Sequence, residues 1–415
     1  MTYAPLTIQN AQVLLPSGEL TQRDVAIAAG KITAVGTSLE VPTNTQTVNG
    51  NGLTLLPGVI DPHVHLRKSD LDHTEDFLVE TCACAKGGVT SFLEMPNTLP
   101  HPTTQTDLTD KLAIATSKSL VNYGCFVRAT SEKPSSLRPA KSICGIKIFI
   151  GTTHGSQSVD ASEAIEIIFE QGDCLIAAQV EQQHEIALTL TKMALRLAKK
   201  YQRRLHLLQL STGGEAELLR RDKPSWVTAE VTPQHLLLDI SAHERMETLA
   251  QTKPPLNNVR DHEILWQALL DGVIDFIATG HTAQPLIEKE QGHADASLGM
   301  PGVETGLPLM LTQAKENRCT IAQVSHWMST AIAQAYQIPH KGLIEPGYDA
   351  DLVLVDLSTY RPVRREELKT ECGWSPFEGW KLTGWPVVTI MGGQIVYDRG
   401  TINTAVRGKA LQFGS

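Results

Sequence analysis

Apolar positions in the middle of the chain come in short runs, each closed by polar residues and followed by a segment of helical length. In order the runs are VIDPHVHLR, VTSFLEMPN, YGCFVRAT, CGIKIFIG, CLIAAQVE, LHLLQLST, VTAEVTPQHL and FIATGHT. Between them lie HTEDFLVETCACAKGG, SEAIEIIFEQG, HEIALTLTKMALRLAKKY and GEAELLRRDK, whose apolar residues recur at helical spacing. Strand-then-helix units repeated about eight times predict an α/β protein built on a (β/α)8 TIM barrel. An open doubly wound sheet is the weaker solution, because no Gly-x-Gly-x-x-Gly turn follows the first strand.

The two ends have another rhythm. LTIQNAQVLL, DVAIAAGKITAVG and TQTVNGNGLTLLPG at the front, with LIEPGYDADLVLVDL and VVTIMGGQIVYDRG at the back, read as strands between Gly and Asn turns. Met391-Gly392-Gly393-Gln394 has the form of a two-residue hairpin. The expected organisation is a barrel over 56–345 and a small composite β-sandwich domain from 1–55 and 346–415.

Composition narrows the classes. The chain has 415 residues, 41% hydrophobic and 20% charged, which is enough for a large enzyme domain plus an accessory one. A net charge of −9 without a basic tract argues against nucleic acid as partner. No apolar run is long enough for a membrane span, and MTYAPLTIQNAQVLL lacks the charged and apolar regions of a secretory signal. Seven scattered cysteines, without a metal-binding or redox spacing, are expected as free thiols in a reducing cytoplasm.

In a barrel of this kind the chemistry sits at the C-terminal ends of the strands. The first run ends Asp61-Pro62-His63-Val64-His65-Leu66-Arg67. Alternate strand residues share a face, so His63 and His65 point into one cavity and form half of a site for a divalent ion.

The segments GVIDPHVHLR, GGVTSFLEMPN, GIKIFIG, LHLLQLSTGGEAELL, VTAEVTPQHLLL, KPPLNNVRD, GLIEPGYDADLVLVDL and WSPFEGWKLTG together resemble the dihydroorotase branch of the amidohydrolase superfamily. Arg67 and the Met95-Pro96-Asn97-Thr98 segment favour dihydroorotase or allantoinase over hydantoinase. The resemblance implies two metal ions that activate a bridging water, with an aspartate at the eighth strand accepting its proton. It assigns His63, His65 and Lys147 (the last as a carbamylated bridge) to metal binding, and Arg67 and Asn97 to the substrate carboxylate.

Several positions depart from that pattern. The histidines implied at the fifth and sixth strands are Gln179 and Gln209, and the catalytic aspartate of the eighth is Gly280. Gln284, Lys253 and Asn257 replace a histidine, an asparagine and an arginine expected near the substrate. A carboxamide is a weak, neutral ligand, and glycine offers neither ligand nor base. No catalytic residue is therefore assigned. As stand-ins, His206 and His281 have the wrong strand parity, whereas His154 and His235 lie in loops near the rim.

Two expectations follow. In the first, the chain is an inactive or impaired dihydroorotase-like protein of pyrimidine biosynthesis, kept as a structural partner of aspartate transcarbamoylase. In the second, it is an active metal-dependent dihydroorotase, or a related hydrolase such as allantoinase, with one zinc ion at a reduced site. Homo-oligomerisation is expected in both.

Overall fold

A computed structural model of the protein describes residues 4–66, 76–96, 105–129, 143–151, 162–171, 174–180, 184–292 and 296–414. Seven parallel strands, Val59–His65, Val89–Glu94, Asn122–Arg128, Ile143–Ile150, Ile176–Val180, Leu205–Leu208 and Val227–Val231, pair in chain order. An eighth strand in two pieces closes the barrel. Phe276–Ile277 pairs with the seventh strand and His281–Thr282 with the first. Between the pieces lie Ala278, Thr279 and Gly280. Asp61 braces this break, accepting from the Thr279 hydroxyl at 2.5 Å and its backbone N–H at 3.1 Å.

The helices cover the barrel because each has one apolar face. In His184–Tyr201 the buried positions Ala187, Thr191, Ala194, Leu195, Leu197 and Ala198 form one face at the 3.6-residue period. Gly213–Asp222 starts on Thr212, whose hydroxyl accepts from the Glu215 N–H at 3.2 Å. Among the described residues no helix is long and apolar enough to cross a membrane.

The front and back of the chain share one nine-stranded sheet. Thr54–Pro57 pairs antiparallel with Leu352–Asp356, and Leu6–Leu14 pairs parallel with Thr54–Pro57. Leu6, Ile8, Val13, Val25, Ile27, Leu55, Leu352, Leu354 and Ile390 form its core. Met391 faces Gln394 across Gly392 (φ 55°) and Gly393 (φ 76°), the left-handed pair that a two-residue hairpin needs.

Beyond the sheet the tail returns under the barrel. Gly408 N–H donates to Ser119 O at 2.9 Å, Tyr123 N–H to Lys409 O at 3.1 Å, and Leu411 N–H to Tyr123 O at 2.8 Å. Leu411 and Phe413 then pack with Leu93, Phe126 and Tyr336, filling the barrel base from below. All seven cysteines are free thiols, five of them buried.

Candidate active site at the barrel mouth

His63 and His65 do share one face of the first strand. Their Nε2 atoms stand 3.3 Å apart. Nδ1 of His63 meets Glu230 Oε1 at 2.6 Å, and the other carboxylate oxygen meets His206 Nε2 at 2.9 Å. His206 Nδ1 meets the Thr228 hydroxyl at 2.9 Å, while its ring stacks on Phe276 with centroids 4.8 Å apart. A chain thus runs Thr228–His206–Glu230–His63–His65 across the barrel, fully buried at His206, Glu230 and His63.

The charges follow from that burial. Desolvation opposes the Glu230 carboxylate, but His63 and His206 overcome it and bring its pKa down to about 2. Held ionised, Glu230 can only accept, so His63 donates through Nδ1 and turns its Nε2 lone pair toward His65. Desolvation, helped by the nearby Lys147 charge and only partly offset by Glu230, lowers His63 to about 4. Burial and Lys147 hold His65 well below its ordinary value. Asp61, desolvated beneath the eighth-strand break, rises to about 6.

His206 corrects the parity argument. Three residues before Gln209, it was expected on the opposite face, yet both side chains enter the barrel. The strand ends at Leu208 and Gln209 takes a left-handed φ of 49°, which resets the alternation. Glu230 was missed altogether, although an acid between Thr228 and Thr232 inside an apolar run was a visible signal.

Opposite the histidines, the substituted positions form their own arrangement. Gln179 Nε2 donates to Gln209 Oε1 at 3.0 Å, both side chains being buried. Gly280 has φ 61°, and a Cβ there would lie 2.2 Å from Gln209 Nε2. The Gln209 amide thus fills the space that an eighth-strand side chain would enter. Gly280→Asp is expected to cost about 2–3 kcal/mol, from the left-handed backbone and a displaced amide hydrogen bond. Chemical unfolding checks this. A Gln209→Ala, Gly280→Asp double variant should cost less than the sum of the two single changes.

Lys147 is fully buried, its Nζ 4.7 Å from the Phe149 ring centroid, with the Arg128 guanidinium 5.0 Å from the same ring. His281 points away from the cavity. Its Nε2 bonds Glu80 at 2.9 Å and its Nδ1 accepts from Gly302 N–H at 3.0 Å. His235 is buried at the rim between the Thr232 hydroxyl at 2.7 Å and Pro254 O at 3.2 Å, and desolvation lowers it to about 4. The Gln284 carbonyl accepts from Trp374 Nε1 at 2.8 Å, and Asn257 Nδ2 donates to Ser211 O at 2.9 Å. Arg67, Asn97 and His154 lie outside the described residues.

The donor set does not fit a two-metal centre. Among the described residues no group of three or more His, Cys, Asp or Glu side chains is placed to hold an ion. The Nε2 pair of His63 and His65 has the separation of two neighbouring ligands on one tetrahedral ion. Across from it stand two carboxamides bonded to each other and a glycine.

An amidohydrolase family model matches residues 54–396. The dihydroorotase of Pyrococcus abyssi is 32% identical, covering 96% of each chain. The dihydroorotase of Listeria monocytogenes is also 32% identical, covering 95% of this chain and 99% of its own. Among solved structures, the L-hydantoinase (dihydropyrimidinase) of Arthrobacter aurescens superposes with a TM-score of 0.90 at 24% identity, over 99% of this chain and 100% of that one. The dihydropyrimidinase of Brevibacillus agri superposes with a TM-score of 0.88 at 22% identity, over 99% and 100%. Barrel, sheet and sequence agree: the chain belongs to the amidohydrolase family, as a dihydroorotase-like cyclic amidohydrolase.

Proposed function

We propose that this protein is a dihydroorotase-like member of pyrimidine biosynthesis whose barrel no longer hydrolyses a cyclic amide, and that it serves as a structural partner of aspartate transcarbamoylase. The observation that carries the reading is the Gln179–Gln209 hydrogen bond beside Gly280. Opening a cyclic amide with water needs a nucleophile activated at neutral pH and a base to take its proton. General-base assistance alone is worth about 10²–10⁴-fold. The two carboxamides bond to each other where metal ligands are expected, and Gly280 supplies no base.

Metal analysis and a dihydroorotate assay test the catalytic half. The wild type is expected to show no turnover with added zinc. A Gln179→His, Gln209→His, Gly280→Asp triple variant should gain bound zinc and measurable hydrolysis. Turnover by the wild type with one zinc ion per chain would overturn the reading in favour of a reduced site at His63, His65 and Lys147. The 3.3 Å separation of the His63 and His65 nitrogens is what supports that second reading, in which dihydroorotate, or allantoin, is the substrate. The partner half predicts stoichiometric co-purification with aspartate transcarbamoylase. Full assembly and activity of the transcarbamoylase without this chain would overturn it.

A further inference from the structure

A second charged cavity lies at the other end of the barrel, where the strands begin. Its volume is about 130 Å³. Its walls come from the start of the third strand at Asn122, the hairpin corners at Gly30 and Gly392, and the returning tail. The charged residues around it are Lys31, Lys341, Asp349, Asp351, Arg407 and Lys409.

The ion pairs do not balance. Asp349 holds Lys31 at 2.6 Å and Lys341 at 3.0 Å. Asp351 pairs with Lys341 and also accepts from Asn122 Nδ2 at 2.9 Å and Gly392 N–H at 2.7 Å. Two carboxylates therefore neutralise two ammonium groups. Arg407 is held only by carbonyls, its Nε donating to Ser117 O at 2.9 Å and its Nη1 to Val406 O at 2.7 Å. Lys409 has no carboxylate partner among the described residues, although its backbone N–H is fixed on Asn122 Oδ1 at 3.0 Å. The residues that line this one cavity carry a surplus of two positive charges, in a chain whose net charge is −9.

Donor counting points the same way. An ammonium has three N–H groups and a guanidinium five. Lys31 spends one on Asp349 and Lys341 spends two on the aspartates. The Nη2 edge of Arg407 and the Lys409 ammonium have no protein acceptor among the described residues. These unspent donors come from three separate segments and surround a volume several times that of one water, which is about 30 Å³. Lys341, nearly buried and locked between two aspartates, makes a rigid floor.

We propose that this cavity binds a dianionic phosphate group, with Arg407 and Lys409 supplying the uncompensated charge and Lys31 and Lys341 further donors. A tetrahedral dianion matches both the charge surplus and donors arriving from several directions. A guanidinium edge beside ammonium groups is the chemistry that phosphate recognition uses. The bound group would join the tail to the two sheet hairpins above it. The site is independent of any chemistry at His63.

Calorimetry and thermal unfolding of the full chain test the site with two probes, inorganic phosphate and phenyl phosphate, against sodium chloride at matched ionic strength. A saturable rise in Tm with phosphate, beyond that with chloride, is expected. Lys409→Gln should weaken Kd at least tenfold, whereas Lys409→Arg should retain binding and Lys381→Gln, an exposed lysine elsewhere, should leave it unchanged. Tighter binding of phenyl phosphate assigns the site to phosphate esters; binding of inorganic phosphate alone assigns it to the free ion. A phosphate effect no larger than that of chloride, or one undiminished in Lys409→Gln, overturns the proposal. The exposed position of Lys409 lets the variants fold, which their unliganded melting curves verify.

Discussion

Replacing Glu230 by alanine is expected to remove about 3–5 kcal/mol of unfolding free energy, more than any other single polar change at the barrel mouth. Among the described residues its two oxygens are the only acceptors for His63 Nδ1 and His206 Nε2, and all three side chains are fully buried. Truncation leaves two desolvated donors, each costing about 1–3 kcal/mol, together with a cavity where the carboxylate stood. Glu230→Gln keeps one acceptor and the volume, so it should cost roughly half as much. Urea unfolding at pH 7.5 measures both. A Glu230→Ala variant within about 1 kcal/mol of wild type would mean that Glu230 does not hold the histidines together.

Acid sensitivity is the second large expected effect. His63 and His235 titrate at about 4 in the folded protein and His65 also lies well below its ordinary value. In the unfolded chain each takes up its proton near pH 6.5. A depressed histidine contributes stability that is complete above about pH 6.5 and is lost as pH falls toward its folded value. The slope is roughly 1.4 kcal/mol per pH unit for each histidine. Asp61 acts in the opposite sense. Raised to about 6, it contributes stability below its unfolded value near 3.8 that is lost as pH rises through 6. Between pH 6 and 5 it offsets one histidine, leaving a net loss of roughly 3 kcal/mol per unit. Glu230, lowered to about 2, keeps its contribution throughout this window and loses it only in stronger acid. The urea midpoint should therefore begin to fall below about pH 6.5, well before ordinary carboxylates titrate, and His235→Gln should reduce the slope by one proton. A stability that stays flat from pH 7 to 5 would contradict these assignments.

The barrel was legible in the sequence because each strand is a short apolar run closed by polar residues, and parallel strands buried on both faces must read that way. The Gly392-Gly393 hairpin was legible because few residue pairs accept two left-handed positions. His63, His65 and the Gln179, Gln209 and Gly280 departures could be named because each closes a strand. Alternation failed at Gln209, where a single left-handed residue put His206 on the same side. Nor could periodicity reveal that Glu230 joins two histidines, since that contact spans 167 residues to His63. The Gln179–Gln209 bond was equally hidden. Sequence named the two carboxamides as weak ligands, and only the fold brings them together as partners.

The returning tail ties the completion of the barrel to the order in which the chain is made. Asn122 opens the third strand, yet the backbone N–H that engages its side chain belongs to Lys409, 287 positions later. At ordinary synthesis rates that interval is about 15–60 s. In its last part, once Tyr336 has been made, a nascent barrel has its strands but lacks Leu411 and Phe413, leaving Leu93, Phe126 and Tyr336 open at the base. A similar interval separates the front strand Thr54–Pro57 of the nine-stranded sheet from its back-half partner at Leu352–Asp356. Emergence of the last strands and tail therefore closes both layers at nearly the same moment. Until then the growing chain presents an apolar barrel floor and an unpaired sheet edge, the two surfaces on which a chaperone is expected to act.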